Sequence, residues 1–421
     1  MAAAEFRNVV QDIYGRHAAD RASFNTMTDK SGKIPNLLFI DMSRYLHEGP
    51  ARSAIQLLRH IDRIRIKPMP VFCLNAAERS ATERMVAATV HTIPMRRLTY
   101  RLGGFEIVRF LLQARVSVNE LCRFIKHEGV DIVHINTINN IYAALAARRC
   151  GVPYLLFVRE MLPSRMINDL YVRWICRRAA AVVAVSDSVR QRLLKAGVED
   201  KKITVIYNGV ELPPDGIADK ADELRREFNI PENVPVIGMV GTIGPLKGQM
   251  VAVQAVAALV KSFPDLRLIV VGDPFQEPGF KGYLDSVRRF VEEHGIEKNV
   301  IILGVREDVP VLMAMFDVLV QPSVGYDSMP RTVIEAMAAG KPVVGSSIGG
   351  IPEMITHGKT GFIVEPGSHE ALARAVATIL SSVEIKKKMG AAAVADVMDR
   401  FNSEKQAGKL LDLYERVLAG I

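Results

Sequence analysis

The sequence lacks a long hydrophobic run. Its longest near-continuous apolar stretch, Met250 to Val260, is interrupted by Gln254 and falls short of the roughly 18–20 residues that span a bilayer. Residues 1–20 place Glu5 and Asp12 among their apolar residues, so they lack the uninterrupted apolar core of a signal peptide. We therefore expect a cytoplasmic protein.

The sequence is also poor in cysteine and shows no metal-binding spacing. Its four cysteines are far apart and form no Cys-x-x-Cys pair; they are Cys73, Cys122, Cys150 and Cys176. This spacing favours reduced, mostly buried thiols over a disulfide framework or a zinc site. The nine histidines show neither His-x-x-x-His nor His-x-x-Glu-His spacing. We expect no bound metal and no cofactor.

The charges are unevenly distributed along the 421 residues, a length that suits two domains. Residues 1–212 carry 32 Lys and Arg against 19 Asp and Glu, whereas residues 213–421 carry 22 against 27. The basic half either faces an anionic membrane or a phosphorylated acceptor, or is simply a solvated basic surface. Nucleic acid is not expected, because the basic residues are dispersed and only 6% of residues are aromatic.

Short runs rich in Val, Ile and Leu alternate with helical stretches, which is typical of βα units and parallel sheets. The predicted strands are Asn36–Ile40, Pro70–Leu74, Asp131–Asn136, Pro153–Val158, Ala181–Ser186 and Ile203–Tyr207, then Pro235–Gly241, Arg267–Val271, Asn299–Leu303, Asp317–Gln321, Pro342–Ser346 and Gly361–Val364. The predicted fold class is α/β, with two doubly wound Rossmann-like sheets facing a cleft.

The alternation of strands and helices also predicts the domain organisation. The predicted units are an N-terminal extension over 1–33, a first domain over 34–212, a second over 213–402, and a C-terminal helix over 403–421 that could pack back on the first domain. Residues 211–234, rich in proline and charge, are predicted to be the linker region. In the first domain, Ala51, Ile55, Leu58 and Ile61 are spaced to share one helix face.

Two loops of the second array carry candidate chemistry. The loop Val240 to Gly248 contains Gly241, which lets the backbone approach a ligand, and Lys247, whose charge suits a phosphate. It is not a Walker loop, because Gly248 follows the lysine where Ser or Thr is required. A surface lysine beside a structural turn would leave the same pattern.

The second loop runs from Tyr326 to Met337 and places two carboxylates near a predicted helix start. Ser328 and Pro330 mark that start, so the free amides of Arg331 and Thr332 would form an anion site. Asp327 and Glu335 could recognise hydroxyl groups; alternatively Asp327 is a helix cap and Glu335 a solvated helix residue. A third loop, Gly349 to Glu353, would close the same end of the sheet.

These loops, in this order, resemble the donor domain of glycosyltransferase family 4, which has the GT-B fold. The family carries a Gly-Arg-x4-Lys-Gly loop, a Glu-x7-Glu motif and a Gly-Gly-x-Pro-Glu turn. The likeness extends to Val270-Val271-Gly272-Asp273, Ile302-Leu303-Gly304, Val320-Gln321-Pro322-Ser323 and Val205 to Val210. The resemblance spans nearly everything from Asn36 to the last helix.

The resemblance implies a retaining, metal-independent transfer of a sugar from a nucleotide diphosphate donor to a saccharide or lipid-linked acceptor, in polysaccharide or glycolipid biosynthesis. It implies catalytic roles for Lys247 at the diphosphate, Asp327 at the sugar and Glu335 at the ribose. The implied donor-binding residues are Gly49, Gly241, Thr242, Lys247, Gly248, Gly304, Arg306, Met329, Pro330, Arg331, Thr332 and Glu335. Those implied near the acceptor or the sugar are His134, Asn136, Arg159 and Glu160.

Three positions depart from the family pattern. Thr242 stands where the arginine is expected, Asp327 replaces glutamate, and Asn136 occupies the second position of the usual His-x-His. His134 could contact the sugar or be a core histidine. These departures keep open a second hypothesis, a nucleotide-sugar-binding protein without turnover. A mixed basic and apolar segment from Arg96 to Leu111 could lie on a membrane surface, or pack on its own sheet.

Overall fold

The first half of the chain forms a seven-stranded parallel sheet. The computed structural model describes residues 33–420 except Arg44, His47, 96–103, 161–164, 275–279 and Lys281, and only the backbone of 104–112. The strands are β1 (Asn36–Ile40), β2 (Lys67–Phe72), β3 (His91–Thr92), β4 (Ile132–Ile135), β5 (Tyr154–Val158), β6 (Ala181–Ala184) and β7 (Ile203–Val205). Their order is β3-β2-β1-β4-β5-β6-β7, so the direction of winding reverses between β1 and β4.

Helices follow these strands on both faces. They are α1 (Gly49–His60), α2 (Ala76–Val86), α3 (Gly104–His127), α4 (Ile141–Cys150), α5 (Met166–Arg177) and α6 (Asp187–Lys195). The predicted apolar face of α1 is confirmed, because Ala51, Ile55 and Leu58 are buried, as is Ile61 just beyond the helix. The predicted extension over 1–33 lies outside the described residues apart from Lys33, and so does much of the segment from Arg96 to Leu111.

The second half forms a six-stranded parallel sheet. Its strands are β8 (Val236–Val240), β9 (Arg267–Val271), β10 (Val300–Leu303), β11 (Val318–Gln321), β12 (Val343–Ser346) and β13 (Gly361–Val364). The order β10-β9-β8-β11-β12-β13 reverses between β8 and β11. The helices are α7 (Ile217–Glu227), α8 (Gln249–Leu259), α9 (Tyr283–Glu293), α10 (Val309–Met315), α11 (Arg331–Ala338), α12 (Ile351–Met354), α13 (His369–Leu380), α14 (Val383–Arg400) and α15 (Ser403–Ala419). The α/β class with two doubly wound sheets is confirmed.

Every predicted strand is present. The structure differs from the prediction at the start of β2 and in the predicted linker, and both differences have physical causes. Strand β2 begins at Lys67 although Pro68 and Pro70 have no N–H group to donate. At these two positions an N–H group would point towards β3. Because β3 pairs only with Val71 and Phe72, no sheet hydrogen bond is lost. The predicted linker over 211–234 is not a plain linker, since α7 forms within it. Arg225 on α7 donates to the carbonyl of Val234 at 2.6 Å, which ties the helix to the start of the second sheet.

The C-terminal helix α15 crosses back to the first sheet. Tyr414 on α15 hydrogen-bonds His134 on β4, with 2.7 Å between the hydroxyl and Nδ1. Arg65 pairs with Glu415 of the same helix, and the amide of Val210 donates to the carbonyl of Phe401 at 2.8 Å. The predicted boundary at residues 212 and 213 stays a prediction.

The four cysteines are free, as predicted, with Cys122 and Cys176 buried and the other two half-buried. Among the described residues, no helix is long and apolar enough to cross a membrane. Burial raises the pKa of Cys176 to about 12, so this thiol is an inert core residue.

Candidate active site

The loop after β8 is held in shape by its glycines and by one glutamine. Gly248 has a φ of +82°, and a side chain there would lie 1.9 Å from the carbonyl oxygen of Pro322. Only glycine therefore fits at this position. Gln249 accepts from the amide of Gly244 and donates to the carbonyl of Thr242, each at 3.2 Å. The loop carrying Gly241, Thr242 and Lys247 is thus a fixed turn at the carboxyl end of β8.

Lys247 reaches across to the loop after β11. Its Nζ lies 2.6 Å from Oδ2 of Asp327, which is mostly buried. The same carboxylate oxygen accepts from Ser323 Oγ at 3.3 Å and lies 3.5 Å from Gln321 Nε2. Asp327 therefore is not a helix cap, and Lys247 is not a free surface lysine.

The third predicted loop packs directly on the second. The amide of Gly350 donates to the carbonyl of Asp327 at 2.8 Å. Gly349 has a φ of +60°, and a side chain there would lie 1.9 Å from that same carbonyl oxygen. Since Lys247 also contacts Asp327, the three loops meet at one point of the sheet edge, as the sequence predicted.

Helix α11 begins at Arg331 beside this point. Pro330 is its N-cap residue and makes no side-chain capping hydrogen bond. The first amides of a helix, here those of Arg331 and Thr332, have no partner within the helix. Thr332 Oγ1 donates to Gln321 Oε1 at 3.1 Å, which fixes the first turn against the end of β11.

Glu335 lies on the buried side of α11, with only 11% of its side chain exposed. Its Oε1 accepts from Arg331 Nε at 3.3 Å and lies 3.7 Å from Arg52 Nη2. Its Oε2 is buried and has no hydrogen-bond partner among the described residues. The interpretation of Glu335 as a solvated helix residue is therefore wrong.

Arg331 joins the two domains. Its guanidinium donates to Gln56 Oε1 at 2.6 Å, and to Ser53 Oγ and the carbonyl of Gly209 at 3.1 Å each. Burial lowers the pKa of Arg331. The sequence assigned a role only to the backbone amide of Arg331, and it missed Arg52, Ser53 and Gln56. No motif marks these three residues, because their partners lie about 280 positions away in the chain.

A buried polar network occupies the carboxyl ends of β1, β4 and β5 in the first sheet. Asn136 Nδ2 donates to Asp41 Oδ2 at 2.5 Å, and its Oδ1 accepts from Arg159 Nε at 2.7 Å. Arg159 also donates to Asn208, whose Nδ2 lies 3.4 Å from the carbonyl oxygen of Met329 in the second domain. Asn136 thus connects a buried carboxylate to a buried guanidinium.

His134 is a core residue. It is fully buried and stacks on Phe39 at 4.3 Å, and its Nδ1 is held by Tyr414. Burial, aided by the positive charge of Arg159, lowers the pKa of His134 to about 3. Of the two interpretations from the sequence, direct sugar contact and a core position, the structure supports the core position.

None of the remaining predicted residues forms a hydrogen bond with Lys247 or Asp327 in the described part of the chain. Glu160 accepts from Asn139 Nδ2 at 3.0 Å, beside the network of Arg159. Gly49 begins α1, and a side chain there would meet open space. The carbonyl of Gly304 accepts from the amide of Gly272 at 3.2 Å. Arg306 is bound by Asp308 through contacts of 2.8 and 2.5 Å, after the outer strand β10.

One further residue of the third loop contacts the first domain. Glu353 accepts from the amides of Asp187 and Ser188, at 2.7 and 2.8 Å, and so caps helix α6. The sequence placed Glu353 in a recognisable motif but gave no partner for it. Among the described residues, no group of three or more His, Cys, Asp or Glu side chains is placed to hold a metal ion.

Comparison with known families covers both halves of the chain. The model described as Glycosyl transferases group 1 matches residues 220–396, and that for Glycosyltransferase Family 4 matches residues 47–212. The chain is 28% identical over 311 residues to N-acetyl-alpha-D-glucosaminyl L-malate synthase of Bacillus anthracis, covering 71% of this chain and 78% of that protein.

A second relative has a similar sequence, and a solved structure has a similar fold. The UDP-Gal:alpha-D-GlcNAc-diphosphoundecaprenol alpha-1,3-galactosyltransferase of Escherichia coli is 25% identical over 320 residues, covering 72% of this chain and 80% of that protein. The crystal structure of Anabaena HepE in complex with UDP has a similar fold, with a TM-score of 0.76, 23% identity, and coverage of 90% of this chain and 99% of that one. The chain therefore belongs to glycosyltransferase family 4 and is a nucleotide-sugar glycosyltransferase of the GT-B type.

Proposed function

We propose that this enzyme transfers a sugar, with retention and without a bound metal, from a nucleoside diphosphate sugar to a saccharide or lipid-linked acceptor. The observation that carries the proposal is the position of Lys247 and Asp327 at the N-terminus of α11, 2.6 Å apart. A cation, free helix amides and a carboxylate are the groups that a sugar diphosphate requires at one place.

Each group has a distinct task in the proposed donor complex. Lys247 and the amides of Arg331 and Thr332 stabilise the leaving diphosphate. The free Oε2 of Glu335 accepts a hydrogen bond from a ribose hydroxyl, and this satisfies a buried atom that has no partner among the described residues. Asp327 accepts from a hydroxyl of the transferred sugar, so donor binding redirects the Lys247–Asp327 pair towards the ligand.

The proposed chemistry is a front-face displacement. The bond between the anomeric carbon and the diphosphate oxygen breaks, and the acceptor oxygen bonds to the same face of that carbon. The acceptor proton passes to the departing phosphate oxygen, which makes a protein base unnecessary. The burial of His134 and its contact with Tyr414 support this route, because they hold the histidine away from the cleft.

For the donor and the acceptor, we propose a uridine diphosphate sugar and a lipid-linked acceptor at the cytoplasmic face of a membrane. The printed name of the Escherichia coli relative gives UDP-Gal and a diphosphoundecaprenol-linked sugar, and Anabaena HepE was crystallised with UDP-glucose. The basic first half of this chain supports peripheral contact with an anionic membrane.

The decisive experiment measures thermal unfolding with UDP, GDP and ADP in the wild type and in Lys247→Ala. A ligand at a hundredfold excess over Kd stabilises the folded state by about 2.7 kcal/mol. We expect a rise in Tm with UDP that is lost in Lys247→Ala and kept in Lys359→Ala, a control for removing an exposed lysine of the same domain. No rise with any nucleotide would contradict the donor site.

A transfer assay then tests the chemistry. Product NMR with UDP-glucose or UDP-galactose reports whether the anomeric configuration is retained. Activity that survives treatment with EDTA supports metal independence, and activity restored only by Mg²⁺ or Mn²⁺ contradicts it.

A further inference from the structure

Helix α5 presents a row of large apolar side chains to solvent. Met166, Ile167, Leu170 and Trp174 are 81%, 72%, 56% and 40% exposed. Their spacing places them on one face of the helix, while Val172 on another face is fully buried. Four neighbouring exposed side chains of this size form a continuous apolar patch rather than scattered surface residues.

Arginines surround this row. Arg148 and Arg149 lie in the last turn of the neighbouring helix α4. Arg165 precedes α5, Arg177 is its last residue and Arg178 follows it; all five arginines are exposed. Arg148 lies over the ring of Trp174, with its Cζ 5.5 Å from the ring centroid. We call the four apolar residues of α5 and these five arginines the α5 surface.

The arginines of the α5 surface are not neutralised by nearby carboxylates. Within the described part of the chain, none of the five forms an ion pair with Asp or Glu. The acidic residue of α5, Asp169, pairs instead with Arg192 of α6. The charge of the α5 surface is therefore strongly positive, in keeping with the basic first half of the sequence.

Three of these arginines border a shallow cavity that is open to solvent. It has a volume of about 450 Å³ and is lined by Leu145, Arg148, Arg149 and Arg178. Arginines that line one space suit a phosphate, which accepts several hydrogen bonds at once. The cavity lies beside Trp174, so a phosphate there would lie next to the apolar row.

We infer that the α5 surface docks this enzyme on an anionic phospholipid bilayer, with the apolar row inserted at the level of the headgroups and a lipid phosphate in the arginine-lined cavity. Apolar and aromatic residues along one helix face, bordered by arginine, form the pattern of a helix that lies in a membrane interface. The inference deepens the proposed peripheral contact, and its evidence is independent of the donor site.

The position of α5 gives the docking a functional consequence. The helix follows β5, whose carboxyl end carries Arg159 and Glu160 at the polar network facing the second domain. The N-terminal end of α5, which carries Met166 and Ile167, therefore lies at the cleft end of the first sheet, and the helix runs from there towards the opposite end of the sheet. A lipid-linked acceptor could then reach the cleft while its chain stays in the membrane.

The test is co-sedimentation of the full-length protein with vesicles. One set contains phosphatidylcholine alone, and the other contains equal parts of phosphatidylcholine and phosphatidylglycerol. We expect binding to the anionic vesicles only, weakened by high salt. Ile167→Gln/Leu170→Gln and Arg148→Gln/Arg149→Gln should each lower the partition coefficient roughly tenfold or more. Ile64→Gln, which changes an apolar residue of similar exposure, should bind as the wild type does.

Three outcomes would overturn the inference. The wild type could fail to bind anionic vesicles, or both double variants could bind as tightly as the wild type. Light scattering could instead show a wild-type dimer that Ile167→Gln/Leu170→Gln abolishes without any vesicle binding, which would make α5 a protein interface. Stabilisation by UDP, measured in the same variants, separates this question from the donor site, because neither double variant alters the donor loops.

Discussion

Lys247 Nζ and Asp327 Oδ2 lie 2.6 Å apart, which makes the cation assigned to the diphosphate and the carboxylate assigned to the sugar each other's partner. The two residues come from loops that follow different strands, β8 and β11. In the proposed donor complex a diphosphate would compete with Asp327 for Lys247, so binding of the phosphates would release the carboxylate for the sugar.

Substitution of Asp327 should separate binding from transfer. Asp327→Asn removes the competing charge, so we expect UDP to bind as tightly as in the wild type or up to roughly tenfold tighter. Transfer should fall by about a hundredfold or more, because the sugar loses its charged acceptor. Calorimetric Kd values for UDP and kcat from the transfer assay check both expectations.

Glutamate, which the family motif has at position 327, supplies the matched control. Asp327→Glu keeps the charge and lengthens the side chain, so it should retain more transfer activity than Asp327→Asn. If Asp327→Asn transferred sugar as fast as the wild type, Asp327 would have no role at the donor sugar.

Removal of the Arg331 side chain should destabilise the protein and loosen the contact between its domains. Arg331→Ala leaves Glu335 buried beside only the distant Arg52 and deprives Gln56 and Ser53 of their partner. Breaking one side of a buried ion pair costs about 3 kcal/mol. Urea unfolding measures this loss, and Arg226→Ala, at an exposed position of α7, is the control that should change little.

A double-mutant cycle locates the effect at the domain contact. We expect Arg331→Ala and Gln56→Ala to be non-additive by about 1 kcal/mol or more, because their side chains form one hydrogen bond across the domains. Additive effects would mean that the hydrogen bond between Arg331 and Gln56 does not stabilise the contact between the domains.

Acid should destabilise the protein through His134. Its pKa is about 3 in the folded protein and near 6.5 when unfolded, so the unfolded chain takes up the proton first. The contribution of neutral His134 is fully present above pH 6.5. It is lost as pH falls below that value, by at most about 1.4 kcal/mol per pH unit, until the folded pKa is reached.

Urea unfolding of the wild type and of His134→Gln between pH 7 and pH 4 tests whether the free energy of unfolding falls with pH as predicted. The carboxylates titrate in both proteins, so the difference between the two stability curves isolates His134. The wild type should lose stability more steeply than the variant. Parallel curves would show that His134 does not become protonated on unfolding in this range.

The α/β class and the strand positions were predictable because strands of a parallel sheet are buried on both faces. Their residues are then mostly apolar, as in Leu268 to Val271 of the strand Arg267–Val271, whose bounds the structure reproduces. Strand β3 was missed because two residues, one of them histidine, leave no such pattern. Helix α7 was missed because prolines and charges around it are typical of a linker.

At the candidate site, the sequence by itself determined which loops meet. Lys247, Asp327 and Gly349 each follow a parallel strand of one sheet, and such loops share an edge whatever the details of packing. The sequence also determined the family, since its motifs occur in a fixed order along the chain.

Only the tertiary structure decided the partners across the cleft. Arg331 reaches Gln56 of the other domain, Glu353 caps α6, and His134 is covered by Tyr414 of the last helix. Sequence periodicity reports which face of an element is buried, but not what lies against that face. The partner depends on how the two sheets face each other, which is set by the packing of the whole chain and by no single segment.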